Sequence, residues 1–212
     1  MLSSSVNGKE IIIDIIHAIC ENKDLLSRVD GEIGDGDHGV NMNKGFTIAA
    51  DLLDETQVDL SGALLILGKT LFTRIGGAMG PLYGTVFTEM AKTSENEEDI
   101  NQTVINRMLQ SAVEGVSKIS PARIGDKTMM DVLIPAAVEF NAAIIDGDDL
   151  EKALMRMKTA AEKGKESTRD LVAKLGRSSR LGERSRGVLD AGAVSMNLVL
   201  QSFADSILQR LS

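Results

Sequence analysis

The stretch Ile12-Ile13-Asp14-Ile15-Ile16-His17-Ala18-Ile19 places Ile12, Ile15, Ile16 and Ile19 three or four residues apart. That spacing draws an apolar stripe along one side of an α-helix and does not follow the alternation of a half-buried strand. The same period returns at Met42, Phe46, Ala49 and Leu53. Strand cues are scarce: the chain has no Trp, one Tyr and five Phe. The expectation is an all-α protein of about eight helices.

The first helix is expected from near Asn7 to near Arg28 and the second from just after His38. A third follows the cap candidate Ser61. A fourth begins at Pro81, where a missing N–H in the first turn costs nothing. Later helices are expected near Glu98–Ser117, Thr128–Ile145, Asp149–Lys174 and Asp190–Leu211. Three prolines, no Pro/Ser-rich linker and no repeat leave a single helical domain over 1–212, an antiparallel up-and-down bundle or barrel. Glycines cluster at Gly31–Gly39, Gly76–Gly84 and Gly176–Gly192. In an up-and-down bundle these loops would share one end, the natural place for a site.

A hydrophobic content of 43% over 212 residues is enough to bury a core. The formal charge of -8 argues against a nucleic-acid partner, which normally meets a basic face. The lone cysteine, Cys20, cannot form an intramolecular disulfide and is expected as a buried thiol. Residues 1–8 lack the basic and apolar regions of a secretory signal, and no run reaches the ~20 apolar residues of a membrane helix. These readings suit a soluble cytoplasmic protein.

The segment Asp30-Gly31-Glu32-Ile33-Gly34-Asp35-Gly36-Asp37-His38-Gly39 packs four acids among glycines. Carboxylates this close repel one another, and a hard cation with oxygen ligands offsets that directly. Glycine lets the backbone fold tightly enough for Asp30, Asp35 and Asp37 to converge. The formal G-x-G-x-x-G match at Gly34–Gly39 follows a helix and carries two aspartates that would repel a bare pyrophosphate. An EF-hand count from Asp30 puts Asp35 at the glycine position and Asn41 at the bidentate Glu; from Asp35 the two are Val40 and Phe46. Both motifs fail. The plainer alternative is a solvated acidic turn capping the second helix. His17 reads as a packing or surface residue of the first helix.

Gly76-Gly77-Ala78-Met79-Gly80-Pro81 precedes a helix, so free N–H groups and the helix dipole could face an anion; a tight interhelical turn is the alternative. A Walker A loop is absent. Near Gly68-Lys69-Thr70 the first glycine, Gly62, is one residue too far upstream, and before Gly125-Asp126-Lys127-Thr128 its position holds Ser120. The segment Gly176–Gly192 sets Arg177, Arg180, Arg184 and Arg186 among glycines and serines, a phosphate-gripping or merely solvated loop. Met129 and Met130, at a helix start, could pack on a flat base or in the core.

In order, Glu32-Ile33-Gly34-Asp35-Gly36-Asp37-His38-Gly39 with Asn41-Met42-Asn43, Gly80-Pro81-Leu82-Tyr83-Gly84, Gly125-Asp126-Lys127-Thr128-Met129 and Leu181-Gly182-Glu183-Arg184-Ser185 resemble the L subunit of phosphotransferase-linked bacterial dihydroxyacetone kinases. The resemblance covers essentially the whole chain. It implies an eight-helix antiparallel barrel whose open end holds ADP or ATP through two magnesium ions. Asp30, Asp35 and Asp37 would be the metal ligands. His38, Asn41, Ala78, Met79, Gly80, Ser120, Met129, Arg177, Asp190 and Gly192 would bind the nucleotide.

It further implies a nucleotide kept as a cofactor, a phosphohistidine phosphotransferase subunit that recharges it, and dihydroxyacetone held on another subunit. No nucleophile or general base is then expected here; Arg177 is the candidate transition-state or partner contact. Met79 stands where relatives usually have serine, and Ala191 where proline is common. The alternatives are an ATP-exchanging kinase module of the same fold for another small ketose, and a nucleotide-loaded regulatory protein without catalysis.

Overall fold

The computed structural model describes residues 2–211. Among them are nine α-helices and no strand, only an isolated antiparallel bridge between Ser3 and Asp99. The expected first helix is two: α1 (Ser4–Glu21) and α2 (Lys23–Ile33). The break is Asn22, at φ -96° and ψ 13°. An asparagine side chain competes with the helix ladder for backbone partners, which makes it a natural interruption. The deciding stripe holds, with Ile12, Ile15, Ile16 and Ile19 at most 1% exposed and His17 on the surface.

Helix α3 (His38–Asp54) buries Met42, Phe46, Ala49 and Leu53 completely. In α4 (Leu60–Arg74) the cap is Asp59, not Ser61: its Oδ1 accepts the Gly62 N–H at 2.8 Å. Ser61 instead donates to the Ala91 carbonyl of α5 (Met79–Ser94) at 3.0 Å. Pro81 lies in the first turn of α5, two residues after its start. Asn101 caps α6 (Gln102–Ile119), and α7 runs Met130–Ile145.

Asp149 caps α8 (Leu150–Ser167), which ends well before the expected Lys174. There Ser167 Oγ donates to the Gly164 carbonyl and Thr168 Oγ1 to that of Lys165, both at 2.7 Å. Such back-bonding draws carbonyls out of the ladder, and a short 3₁₀ turn, Thr168–Asp170, follows. A second 3₁₀ stretch, Arg177–Ser185, is interrupted at Gly182, and α9 (Ala191–Leu211) closes the chain.

The chain divides into two compact units. One comprises residues up to Cys20, Asn41–Ser120 and the segment from Ser202 on. Here α4 packs on α5 and α5 on α6. Phe46 and Phe87 meet edge to face with centroids 6.1 Å apart, and burying each aromatic ring contributes about 1.5–3 kcal/mol. Asp14 accepts from Ser206 at 2.6 Å and Arg210 at 2.8 Å. Cys20 is half-buried, with Sγ 3.7 Å from Thr47 Oγ1, rather than buried as expected.

The other unit comprises Glu21–Val40 and Pro121–Gln201. Within it α7 packs on α8, and Asn197 Nδ2 donates to Glu162 at 2.9 Å. Among the described residues no helix is long and apolar enough to cross a membrane.

Candidate functional site

Asp30 lies in the last turn of α2 rather than in the loop, and its carbonyl accepts the Gly34 N–H at 2.6 Å. A Cβ at Gly34 would stand 2.5 Å from Asp30 Oδ1, so only glycine lets the chain turn this close to the carboxylate. Gly36 follows at φ +74°, a left-handed conformation that glycine adopts without strain. This path brings one carboxylate oxygen each from Asp30, Asp35 and Asp37 within 4.8 Å of one another. The metal-ligand expectation thus meets a converged, half-exposed set of hard oxygen donors, the chemistry that suits magnesium.

Two nearby positive elements face these carboxylates. The guanidinium of Arg177 pairs with Asp35 and lies 3.7 Å from Asp37. Helix α3 starts at His38, and its N-terminal dipole favours anions at that end. The His38 N–H approaches Asp30 Oδ2 at 3.4 Å.

The His38 side chain is buried, and its Nε2 lies 2.8 Å from Ser195 Oγ. The Ser195 hydroxyl also lies 2.9 Å from the Ala191 carbonyl, which ties the imidazole to the start of α9. Burial lowers the His38 pKa to about 4, with the Asp30 charge opposing. At neutral pH His38 is therefore an uncharged anchor between the start of α3 and the first turn of α9.

The same unit holds a buried lysine to which the sequence assigns no role. Lys127 belongs to the Gly125–Thr128 turn dismissed as a failed Walker loop. It is 1% exposed and sits at φ +62°. Its Nζ donates to the carbonyls of Thr168 at 2.6 Å and Val188 at 2.5 Å. Desolvation lowers its pKa, while the Asp190 charge resists that. The φ of a buried, non-glycine residue was the one clue with physical content, and no residue pattern announces it.

Asp190 precedes α9, and its Oδ2 accepts the Ala193 N–H at 2.8 Å, as an N-cap does. Its own N–H donates to Thr168 Oγ1 at 3.1 Å. Burial pushes the Asp190 carboxyl up to about 7, against the Ala193 hydrogen bond and the Lys127 charge. Gly192 is adjacent: a Cβ there would lie 3.0 Å from Asp190 Oδ2 and 3.7 Å from Met129 Cβ. Met129 is 4% exposed. Asp30, Asp35, Asp37, His38, Met129, Arg177, Asp190 and Gly192 thus all belong to one unit.

Asn41, Ala78, Met79, Gly80 and Ser120 belong to the other. Asn41 is half-buried on α3, and Ser120 ends α6 with its N–H on the Val116 carbonyl at 2.9 Å. Gly76, Gly77 and Ala78 are exposed ahead of α5, whose N-cap Ala78 gives no side-chain hydrogen bond. Helix geometry gives the first-turn N–H groups of α5 no acceptor within the helix. Gly80 is buried, and a Cβ there would stand 2.2 Å from the Ile75 carbonyl oxygen.

A family model described as the DAK2 domain matches residues 32–205, from just after Asp30 to beyond Gly192. The chain is 37% identical over 190 residues to the PEP-dependent dihydroxyacetone kinase 1, ADP-binding subunit DhaL, of Listeria innocua, covering 89% of this chain and 90% of that protein. It is 35% identical over 182 residues to the corresponding DhaL subunit of Escherichia coli K12, covering 85% and 87%. The crystal structure of the dihydroxyacetone kinase from C. freundii in complex with AMP-PNP and Mg2+ superposes with a TM-score of 0.72 at 23% identity. That likeness supports the all-helical fold; it covers 97% of this chain, which spans 35% of that longer protein. With the family model running through the carboxylate loop, the Lys127 turn and the arginine loop, the chain belongs to the DAK2 domain family.

Proposed function

We propose that this chain is the ADP-binding subunit of a PEP-dependent dihydroxyacetone kinase and so a phosphotransferase component of the cytoplasm. It would keep Mg-ADP or Mg-ATP as a resident cofactor. A phosphohistidine phosphotransferase subunit is the proposed donor, and dihydroxyacetone on a separate subunit the proposed acceptor. The observation that carries this reading is the convergence of Asp30, Asp35 and Asp37 within 4.8 Å. Supporting it, relatives of nearly the same length are named ADP-binding subunits.

Asp30, Asp35 and Asp37 would hold two magnesium ions, which neutralise phosphate charge when bound. His38, Asn41, Ala78, Met79, Gly80, Ser120, Met129, Arg177, Asp190 and Gly192 are the proposed nucleotide contacts. The N-terminal end of α5 at Ala78–Gly80 would suit phosphate oxygens, and Met79 offers its backbone where a serine would add a hydroxyl. Arg177, paired with the acids, would balance charge as the phosphoryl group moves. No residue is assigned as nucleophile or base, in keeping with transfer that rests on positioning and electrostatics.

Reconstitution tests the division of labour. With ATP and dihydroxyacetone alone the chain should yield no phosphorylated ketose above background. Addition of the acceptor subunit should give roughly one turnover per nucleotide-loaded chain, and sustained turnover should require the phosphohistidine donor. Steady turnover by this chain and ATP would overturn the subunit reading in favour of a self-sufficient kinase. Nucleotide binding without transfer in the complete mixture would favour a regulatory protein.

A further inference from the structure

Lys127 is held in a position no lysine adopts by default. Its backbone is left-handed at φ +62°, its side chain is 1% exposed, and its ammonium is spent on two main-chain carbonyls. A buried ammonium is retained only where hydrogen bonds and counter-charge replace water. The acceptors here, Thr168 and Val188, are twenty residues apart in sequence and lie on the two limbs of one loop.

That loop leaves α8 at Thr168 and returns to α9 at Asp190. Its limbs are also joined by the Gly187 N–H to the Arg169 carbonyl at 2.8 Å and the Asp190 N–H to Thr168 Oγ1 at 3.1 Å. Inside, the Ala173 N–H reaches Ser185 Oγ at 2.9 Å. Apart from Thr168, Ala173 and Ser185, the loop is exposed or half-buried, so little core fixes it. Yet it carries Arg177, the partner of Asp35 and Asp37, and ends on Asp190.

We propose that Lys127 is a positioning residue, the pin at the neck of the 168–190 loop that holds Arg177 and Asp190 in register with the carboxylates. What the site holds rests on the nucleotide reading above; the pin itself is a property of the ligand-free chain. Lys127 acts through the loop and touches no reacting atom. An apolar side chain would fill the same space without tying the two limbs.

The test uses the full chain with Lys127→Met, Lys127→Gln and the surface control Lys92→Met, which cuts only the exposed ion pair with Glu89. Hydrogen exchange of the ligand-free protein should rise about tenfold at amides 169–190 in the first two variants, and stay within about twofold elsewhere and in the control. Mg-ADP affinity should fall about tenfold in Lys127→Met, and most of that loss should vanish in an Arg177→Ala background, since effects that share one route are not additive. Should Lys127→Met fail to fold, Lys127→Gln carries the exchange test, because its neutral amide keeps a donor for one carbonyl while untying the other limb.

Exchange that rises uniformly along the chain, or not at all, would overturn the pin, as would a fully additive affinity loss with Arg177→Ala. If the unaltered chain binds no Mg-ADP, the nucleotide reading fails, while the exchange arm still decides the role of Lys127.

Discussion

The guanidinium of Arg177 rests on the carboxylate of Asp35 and stands 3.7 Å from that of Asp37, so the charge that compensates the acids also competes with a cation for them. Removal of Arg177 should therefore have effects of opposite sign. Arg177→Ala should tighten binding of magnesium alone by up to about fivefold, since half-exposed pairs of this kind contribute only ~0.2–1 kcal/mol. The same variant should slow phosphoryl transfer in a reconstituted mixture by more than it weakens ADP binding. Calorimetry with metal alone and single-turnover assays measure the two. Weaker binding of metal alone would mean that Arg177 shapes the acid site and does not compete for it.

The carboxylates themselves should carry most of the metal-dependent affinity. Asp35→Asn deletes a ligand charge without changing the loop path, and should lower Mg-ADP affinity by more than about tenfold, or ~1.4 kcal/mol. Asp30→Asn should act more broadly, because Asp30 also lies 3.4 Å from the His38 N–H at the start of α3. Calorimetric titration with and without magnesium would reveal this. Unchanged affinity in two of the three Asp→Asn variants would leave the acids as a solvated turn.

How far the sequence could be read depended on whether a feature was local. Period-3.6 stripes are local, and Ile12 to Ile19 and Met42 to Leu53 are buried as that period requires. Convergence of Asp30, Asp35 and Asp37 was legible too, because glycines at 34 and 36 confine the few residues between them. The break at Asn22 was missed because one weak helix former is commonly tolerated inside a helix. Asp59 and Ser61 are both good caps, and the choice went to Asp59 because Ser61 had a partner, Ala91, on another helix. Lys127 and Ser195 were out of reach for the same reason: Lys127 acts on carbonyls 41 and 61 residues away, and Ser195 on a histidine 157 away.

The glycines on either side of the start of α5 should not be equivalent. A Cβ at Gly76 meets nothing within 4 Å, whereas one at Gly80 would stand 2.2 Å from the Ile75 carbonyl and 3.0 Å from that of Leu71. Gly80→Ala should push the first turn of α5 off the preceding loop and cost at least ~1–3 kcal/mol by overpacking, with a loss of nucleotide affinity. Gly76→Ala should leave the melting temperature unchanged or slightly raised, since alanine narrows the unfolded ensemble. Paired thermal melts with and without Mg-ADP check both. Equal effects at the two positions would remove the geometric basis for a phosphate-facing turn.

Asp190 gives the chain a pH dependence whose sign can be worked out. Burial raises its folded pKa from 3.8 to about 7, so between those values the native state holds a proton that the unfolded chain has released. Its contribution to stability is present in full below the unfolded pKa and is lost as pH rises through 7. The loss is on the order of 1–4 kcal/mol across that window. Asp190→Asn cannot ionise, yet its side-chain oxygen still caps α9 through the Ala193 N–H, and asparagine is as good a cap as aspartate. The variant should therefore match the parent near pH 4 and exceed it in melting temperature at pH 8, both measured without nucleotide. Titrating groups that do not face Asp190 contribute equally to both proteins, so the difference between the two curves reports Asp190 together with Lys127, the charge beside it. A variant less stable than the parent by the same amount at every pH would show instead that an ionised Asp190, compensated by Lys127, is the native state of the cap.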